Sequence, residues 1–292
     1  FRGFVLEGFV IPTGSMGPTL MGAHARLFSP ATGYEYAADI SPAIMEAQQQ
    51  PNRPIAVMDP MLTQRVPLAV VPAMGVAQQA RAGDRVLVLK PLFLVSEPQR
   101  WDVVVFKVPT DPVGETQNYI KRMVGLPNET FLLVDGDVFT GAPDARTQDL
   151  RIQRKPEHVQ RAVWQPVYDS DFEPMVPLQK LESAMRAGWA GAPWRPAQGT
   201  GGWKLAPGRE WTFSGTGETR LDWSGEAFPI DDWNAYNVMR LAYDALHRTP
   251  KGMADPAWRA DVCFPVSDLR LCATVDCDRL ASFSTTFDVV TR

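Results

Sequence analysis

A serine hydroxyl attacks a carbonyl only when a base removes its proton and the oxygen has room to reach the target. Ser15 has the second of these: it stands in the turn Ile11-Pro12-Thr13-Gly14-Ser15-Met16-Gly17-Pro18-Thr19-Leu20, among small residues and two prolines. A lysine can be the base when apolar surroundings disfavour its charged form. Lys121 fits that role, flanked by Tyr119, Ile120, Met123 and Val124 in a run that reads as a strand. Strand side chains alternate, so Arg122 belongs on the face opposite Lys121. Taken singly, each residue also fits a structural role, Ser15 as a turn residue and Lys121 as a solvated strand cation. The acidic pairs Asp135 and Asp137, Asp231 and Asp232, and Asp276 and Asp278 could serve acid–base work or bind calcium, although such pairs in turns are usually solvated caps. The three histidines, His24, His158 and His247, are scattered and no C-x-x-C occurs, so no structural zinc and no metal cofactor is expected.

The elements that must position Ser15 and Lys121 are strands. Residues 1–22 are apolar and β-branched up to Pro12, which predicts a strand running into the serine turn. Four further β-rich runs follow: AGDRVLVL at 82–89, WDVVVF at 101–106, NYIKRMVGL at 118–126 and ETFLLVDGDVF at 129–139. Their close spacing predicts an antiparallel sheet or barrel, and Asp135-Gly136 between LLV and DVF signals a two-residue hairpin. Residues 23–81 lack periodicity and read as an irregular insertion. Beyond Gly141 the background turns rich in Gly and Pro and holds every tryptophan but Trp101. There, 203–223 and 266–277 alternate as strands do, while Val238, Leu241, Ala242 and Leu246 form a helical stripe within 234–248. The expected fold is all-β: a small barrel from residues 1–22 and 82–142, with an inserted β-rich second domain over 145–292.

Composition narrows the function classes. At 292 residues and 45% hydrophobic, the chain is long enough and apolar enough to bury a sizeable core, which excludes a disordered or fibrous protein. A net charge of −4 gives no footprint for a polyanion, so nucleic acid is not an expected partner. Cys263, Cys272 and Cys277 are an odd set, too few for a disulfide framework; one pair could bridge in an oxidising compartment, or all could be small buried thiols. The longest nearly apolar stretch, Val66 to Ala77, is broken by Pro67 and Pro72 and is shorter than the about 20 residues a bilayer span needs. The chain begins with Phe1 rather than Met, so any membrane anchor is expected to precede it.

Three ordered motifs resemble the type I signal peptidases, membrane-bound serine proteases that remove signal peptides. Pro12-Thr13-Gly14-Ser15-Met16-Gly17-Pro18-Thr19-Leu20 is similar to their serine box, GDRVLVLK (83–90) with RWDVVVF (100–106) to the next, and YIKRMVGLPNE (119–129) to their lysine box. The resemblance implies Ser15 as nucleophile and Lys121 as general base, with the Ser15 backbone N–H and the Thr13 hydroxyl holding the oxyanion. It implies Met16 and Pro18 as a wall beside the substrate, and Phe9 and Ile11 as lining for small side chains. Substrate would lie as an extended strand along residues 9–13, Pro12 included. Implied too are signal peptides of exported preproteins as substrates, cleavage after Ala-x-Ala-type sites and an apolar lead-in facing membrane lipid. The catalytic part would sit on the extracytoplasmic side of the plasma membrane and need no cofactor; oligomeric state is not implied.

The sequence departs from that pattern in two places. The family's terminal G-D-N box is absent from the 292 residues. Either it follows the large insert beyond the end of this chain, which is the expectation, or the chain is an inactive homologue whose insert binds peptide or carbohydrate. A self-cleaving repressor-like Ser-Lys peptidase is a further alternative, for which no DNA-binding segment is seen. Some relatives with long insertions resemble zinc ribbons, but Ser29, Thr32, Val71 and Met74 stand here where thiolates would be needed.

Overall fold

The computed structural model describes residues 5–29, 31–39, 48–52, 54–57, 60–62, 69–72, 75, 78–108, 118–134, 136–174, 191–206, 209–225, 228, 230, 266, 268–276, 282 and 284. Their strands are β1 (Leu6–Val10), β2 (His24–Phe28), β3 (Glu35–Asp39), β4 (Pro54–Val57), β5 (Ala69–Pro72), β6 (Ala80–Arg81), β7 (Arg85–Leu89) and β8 (Val103–Lys107). There follow β9 (Asn118–Arg122), β10 (Thr130–Val134), β11 (Asp137–Gly141), β12 (Arg151–Gln153), β13 (Trp194–Pro196), β14 (Trp203–Leu205), β15 (Trp211–Phe213) and β16 (Leu221–Trp223). The helices α1 (Leu92–Val95) and α2 (Glu157–Val163) are short. The protein is mainly β, as the alternating runs predict. No helix among the described residues is long and apolar enough to cross a membrane.

All described pairings are antiparallel. β1 lies on β7, with Leu6 opposite Leu89 and Val10 opposite Arg85. β8 lies on β9, which sets Val104 against Lys121. β10, β11 and β12 form a three-stranded sheet, and β10 turns into β11 through two residues, Val134 pairing with Asp137 and Gly136 at φ +81°. That left-handed φ is what glycine supplies in a tight hairpin.

The β8–β9 ladder runs on past its last strand residue. Trp101 donates its backbone N–H to Met123 (2.7 Å) and Met123 donates to Asp102 (2.8 Å). To do so Trp101 adopts φ 79°, a costly conformation for a bulky residue, and the burial of its indole offsets the cost. Trp101 packs with Val138 and Val159, with Val124 against them. Val159 is on α2 and β12 is bonded to β11, so residues 151–163, assigned by sequence to the second domain, are attached to the sheet before them.

Residues 23–81, read from the sequence as irregular, carry β2 to β6, with β2 between β3 and β6 and β4 on β5. Alanine-rich runs such as EYAAD have weak strand propensity, and here pairing overrides it. Ser29 and Thr32 are fully buried in a turn closed by Thr32 N–H to Ser29 Oγ (3.1 Å) and Gly33 N–H to the Ser29 carbonyl (2.8 Å).

In the second half, β13 pairs with β16 and β14 with β15. Trp194, Trp223, Tyr168 and Phe228 meet edge to face, as do Trp203 and Trp211. Trp223 Nε1 donates to the Phe228 carbonyl and Trp203 Nε1 to Thr219 Oγ1, so both indoles are polar-satisfied packing residues. The strand predicted over 266–277 does not form: residues 266 and 268–276 carry no ladder, and Leu271 and Val275 are exposed. Alternation without a partner strand makes no strand. That segment is held by Asp268, whose carboxylate accepts from Lys155 Nζ at 2.7 Å, while Lys155 also lies 3.6 Å from Asp137. Cys272 is a free, exposed thiol. The helix predicted over 234–248, Asp135, Asp231, Asp232, Asp278, Cys263 and Cys277 lie outside the described residues.

Candidate active site

The serine turn is a single 3-10 turn, Gly14–Met16, closed by Gly17 N–H to the Gly14 carbonyl (2.9 Å). Thr13 before it is extended, φ −128° and ψ 158°, and its side chain makes no cap bond to the turn. The Gly17–Pro18 peptide is cis. Gly14 and Met16 are buried while Ser15 stays exposed between them, so the turn projects the hydroxyl outward.

Lys121, on β9, reaches that hydroxyl. Its Nζ lies 2.8 Å from Ser15 Oγ and 2.9 Å from the Ile120 carbonyl. Two residues 106 positions apart are thus within hydrogen-bond reach, the geometry a nucleophile and its base require. Lys121 is exposed, which corrects the expectation of an apolar burial around it. Ile120 lies on the opposite face of β9, while Tyr119 and Met123, which share the face of Lys121, are half-buried and leave it exposed beside the serine turn.

Behind the turn, Asp84 ties two chain segments together. Its carboxylate accepts from Met21 N–H (2.8 Å), its own N–H donates to the Met21 carbonyl (2.8 Å), and its carbonyl accepts from Ile11 N–H (2.9 Å). Backbone approaches are so close there that only glycine fits. A Cβ on Gly83 would stand 1.8 Å from the Ile11 carbonyl oxygen, and one on Gly22 2.2 Å from the Thr13 carbonyl carbon. The obstacle in both cases is backbone, so the chain leading into the serine turn must shift. Gly83→Ala is therefore expected to lower stability by about 1–3 kcal/mol, read by denaturant titration. An unchanged unfolding midpoint would refute the close approach.

Lys121's neighbour faces away from it, as strand alternation predicts. Arg122 donates to the Trp101 carbonyl (2.9 Å) and to Thr19 Oγ1 (3.0 Å), and burial lowers its guanidinium pKa. Arg100 and Glu129 form a two-armed ion pair (2.9 and 2.6 Å) joining the lead into β8 to the connection before β10. The Arg100 bonds, helped by Leu126 N–H, hold the Glu129 carboxyl below its ordinary range against the opposing effect of desolvation.

Of the remaining residues singled out by sequence, Pro12 and Thr13 are exposed, Phe9 and Pro18 half-buried, and Ile11 and Met16 buried. β1 pairs with β7 along one edge, and among the described residues no strand pairs with its other edge. Gly22, Gly83, Asp84 and Thr19 escaped sequence reasoning as site supports. Gly83 and Asp84 stand in GDRVLVLK and Thr19 in the serine box, yet neither motif tells what they touch. No group of three or more His, Cys, Asp or Glu among the described residues is placed to hold a metal ion.

Comparison with known proteins gives two findings. Residues 1–162 match the family described as signal peptidase, peptidase S26. A 40-residue segment is 52% identical to signal peptidase I of Pseudomonas fluorescens, covering 14% of this chain and 13% of that protein. No solved structure matches.

Proposed function

The chain belongs to the signal peptidase family, peptidase S26, and from that membership we propose that it is a membrane-associated serine endopeptidase that removes signal peptides after small residues. The observation that carries the reading is the 2.8 Å approach of Lys121 Nζ to Ser15 Oγ. In this proposal neutral Lys121 takes the Ser15 proton as Oγ attacks the scissile carbonyl. It returns that proton to the leaving amine, and the acyl-serine ester left behind is hydrolysed by water with Lys121 again as base. The Ser15 N–H and the Thr13 hydroxyl hold the oxyanion. An extended substrate adds to the unpaired edge of β1 near residues 9–13, with Phe9, Ile11, Pro12, Met16 and Pro18 around its small side chains. Laid over the exposed Ser15 and Lys121, it excludes bulk water from the pair.

Membrane association is supported by exposed apolar residues on the strand pair that leads into the site and at its far end: Leu6 and Val10 on β1, Leu87 and Leu89 on β7, and α1, where Leu94 is 85% and Val95 87% exposed. Apolar patches of this kind suit a lipid surface. We assign the catalytic part to residues 1–22 and 82–142 with the attached segment 151–163, facing the extracytoplasmic side of the plasma membrane, and the β-rich second domain to the chain beyond that segment. The test is cleavage of a preprotein carrying an Ala-x-Ala site, in detergent, by the wild type and by Ser15→Ala. Cleavage at that site by the wild type alone is the expected outcome; equal cleavage by both, or none by a folded wild type, overturns the reading.

A further inference from the structure

We infer that Thr19 is a positioning residue that clamps the two halves of the Ser15–Lys121 pair from behind. The inference rests on the proposed peptidase reading for its kinetic consequence, and on geometry alone for its structural one. Arg122 holds the Trp101 carbonyl with one arm and Thr19 Oγ1 with the other, while the Thr19 hydroxyl gives its own proton to the Ala162 carbonyl at 2.9 Å. A threonine hydroxyl has one proton to donate and lone pairs to accept, and this arrangement uses both. Ala162 lies in the last turn of α2, where carbonyls have no partner within the helix. Thr19 therefore joins β9, α2 and the segment just beyond the serine turn at one atom.

Each end of the clamp is one short step from a reacting group. Arg122 is the residue after Lys121 and projects from the other face of β9, so fixing its guanidinium fixes the rotation of the strand about Nζ. Thr19 is four residues after Ser15, and Leu20 N–H donates to the Met16 carbonyl at 2.9 Å, coupling Thr19's segment to the turn. The bonds to Thr19 bridge 103 and 143 positions of chain. The hydrogen bonds of the Thr19 side chain go to Arg122 and Ala162 and not to either reacting group, so its influence is on their separation.

Thr19→Val keeps the shape and removes both bonds; Thr19→Ser keeps both. The expected result is a drop in kcat of about 10- to 100-fold for Thr19→Val, with KM within about twofold of wild type, and recovery in Thr19→Ser. Crystal structures of the wild type and Thr19→Val supply a readout independent of turnover, the Nζ–Oγ separation, expected to exceed hydrogen-bond reach in the variant. If Thr19→Val does not fold, Arg122→Lys, whose compact ammonium lacks the planar two-armed geometry that spans the Trp101 carbonyl and Thr19, takes its place with the same expectations. Unchanged kcat, failure of serine to restore it, or an unmoved Nζ–Oγ distance overturns the inference. A wild type that cleaves nothing while the variant's distance opens would sink the peptidase reading and leave the clamp standing.

Discussion

Lys121→Met is expected to lower kcat for signal-peptide cleavage by about 10⁴–10⁶-fold, the range seen when one member of a nucleophile–base unit is removed. Methionine keeps an unbranched side chain of similar length, so the surface changes little. Because Lys121 is exposed, the cost to stability should stay within about 0.5 kcal/mol. Loss of cleavage with an unchanged melting curve is thus the expected signature. Lys121→Arg sharpens the test: arginine keeps the positive charge but cannot surrender a proton at any working pH. If the role of Lys121 were only to attract the substrate or polarise its carbonyl, arginine would retain activity. Inactivity of both variants assigns proton transfer; cleavage by Lys121→Met would remove Lys121 from the mechanism.

Arg100→Met is expected to destabilise the protein by about 3 kcal/mol at neutral pH, because it leaves a nearly buried carboxylate without its cation. The side chains of Arg100 and Glu129 are only 11% and 13% exposed, and Arg100 also donates to the Val124 carbonyl. Exchanging both partners, as in Arg100→Met with Glu129→Leu, should cost less than the sum of the single changes, since the double variant has no stranded charge. The pH dependence has a definite sign. Arg100 depresses the Glu129 pKa in the folded state, so the pair stabilises above the ordinary glutamate value of about 4.3 and its contribution fades as pH falls through the lower folded-state value. Denaturant titrations of wild type and Glu129→Gln should accordingly converge as pH is lowered into that acid window and separate above it. A difference independent of pH would mean that the carboxylate charge contributes nothing.

The parts of the molecule legible in the sequence are those with local causes. β7, β8, β9 and the β10–β11 hairpin announce themselves by period-2 alternation and by Asp135-Gly136, and the serine turn by its small residues and prolines. Resemblance to one peptidase family joins Ser15 to Lys121 across 106 positions of chain. What stayed hidden has non-local causes. Nothing near Thr19 tells that its hydroxyl will meet Arg122 and Ala162, and nothing near Gly83 tells that Ile11 will press against it. The exposure of Lys121 stays hidden because Tyr119 and Met123 share its strand face yet leave it open, which depends on what packs over that face and not on the local sequence. Residues 266–277 alternate as well as β9 does, yet only β9 has a partner to pair with.

The ion pair between Lys155 and Asp268 spans 113 positions of chain, and it brings the far end of a long excursion back beside the point where it left. Closing a flexible loop costs an entropy that grows only with the logarithm of its length, about 0.6 kcal/mol for each doubling. A chain that returns beside its point of departure can change length beyond α2 at small entropic cost while Ser15 and Lys121 stay 2.8 Å apart.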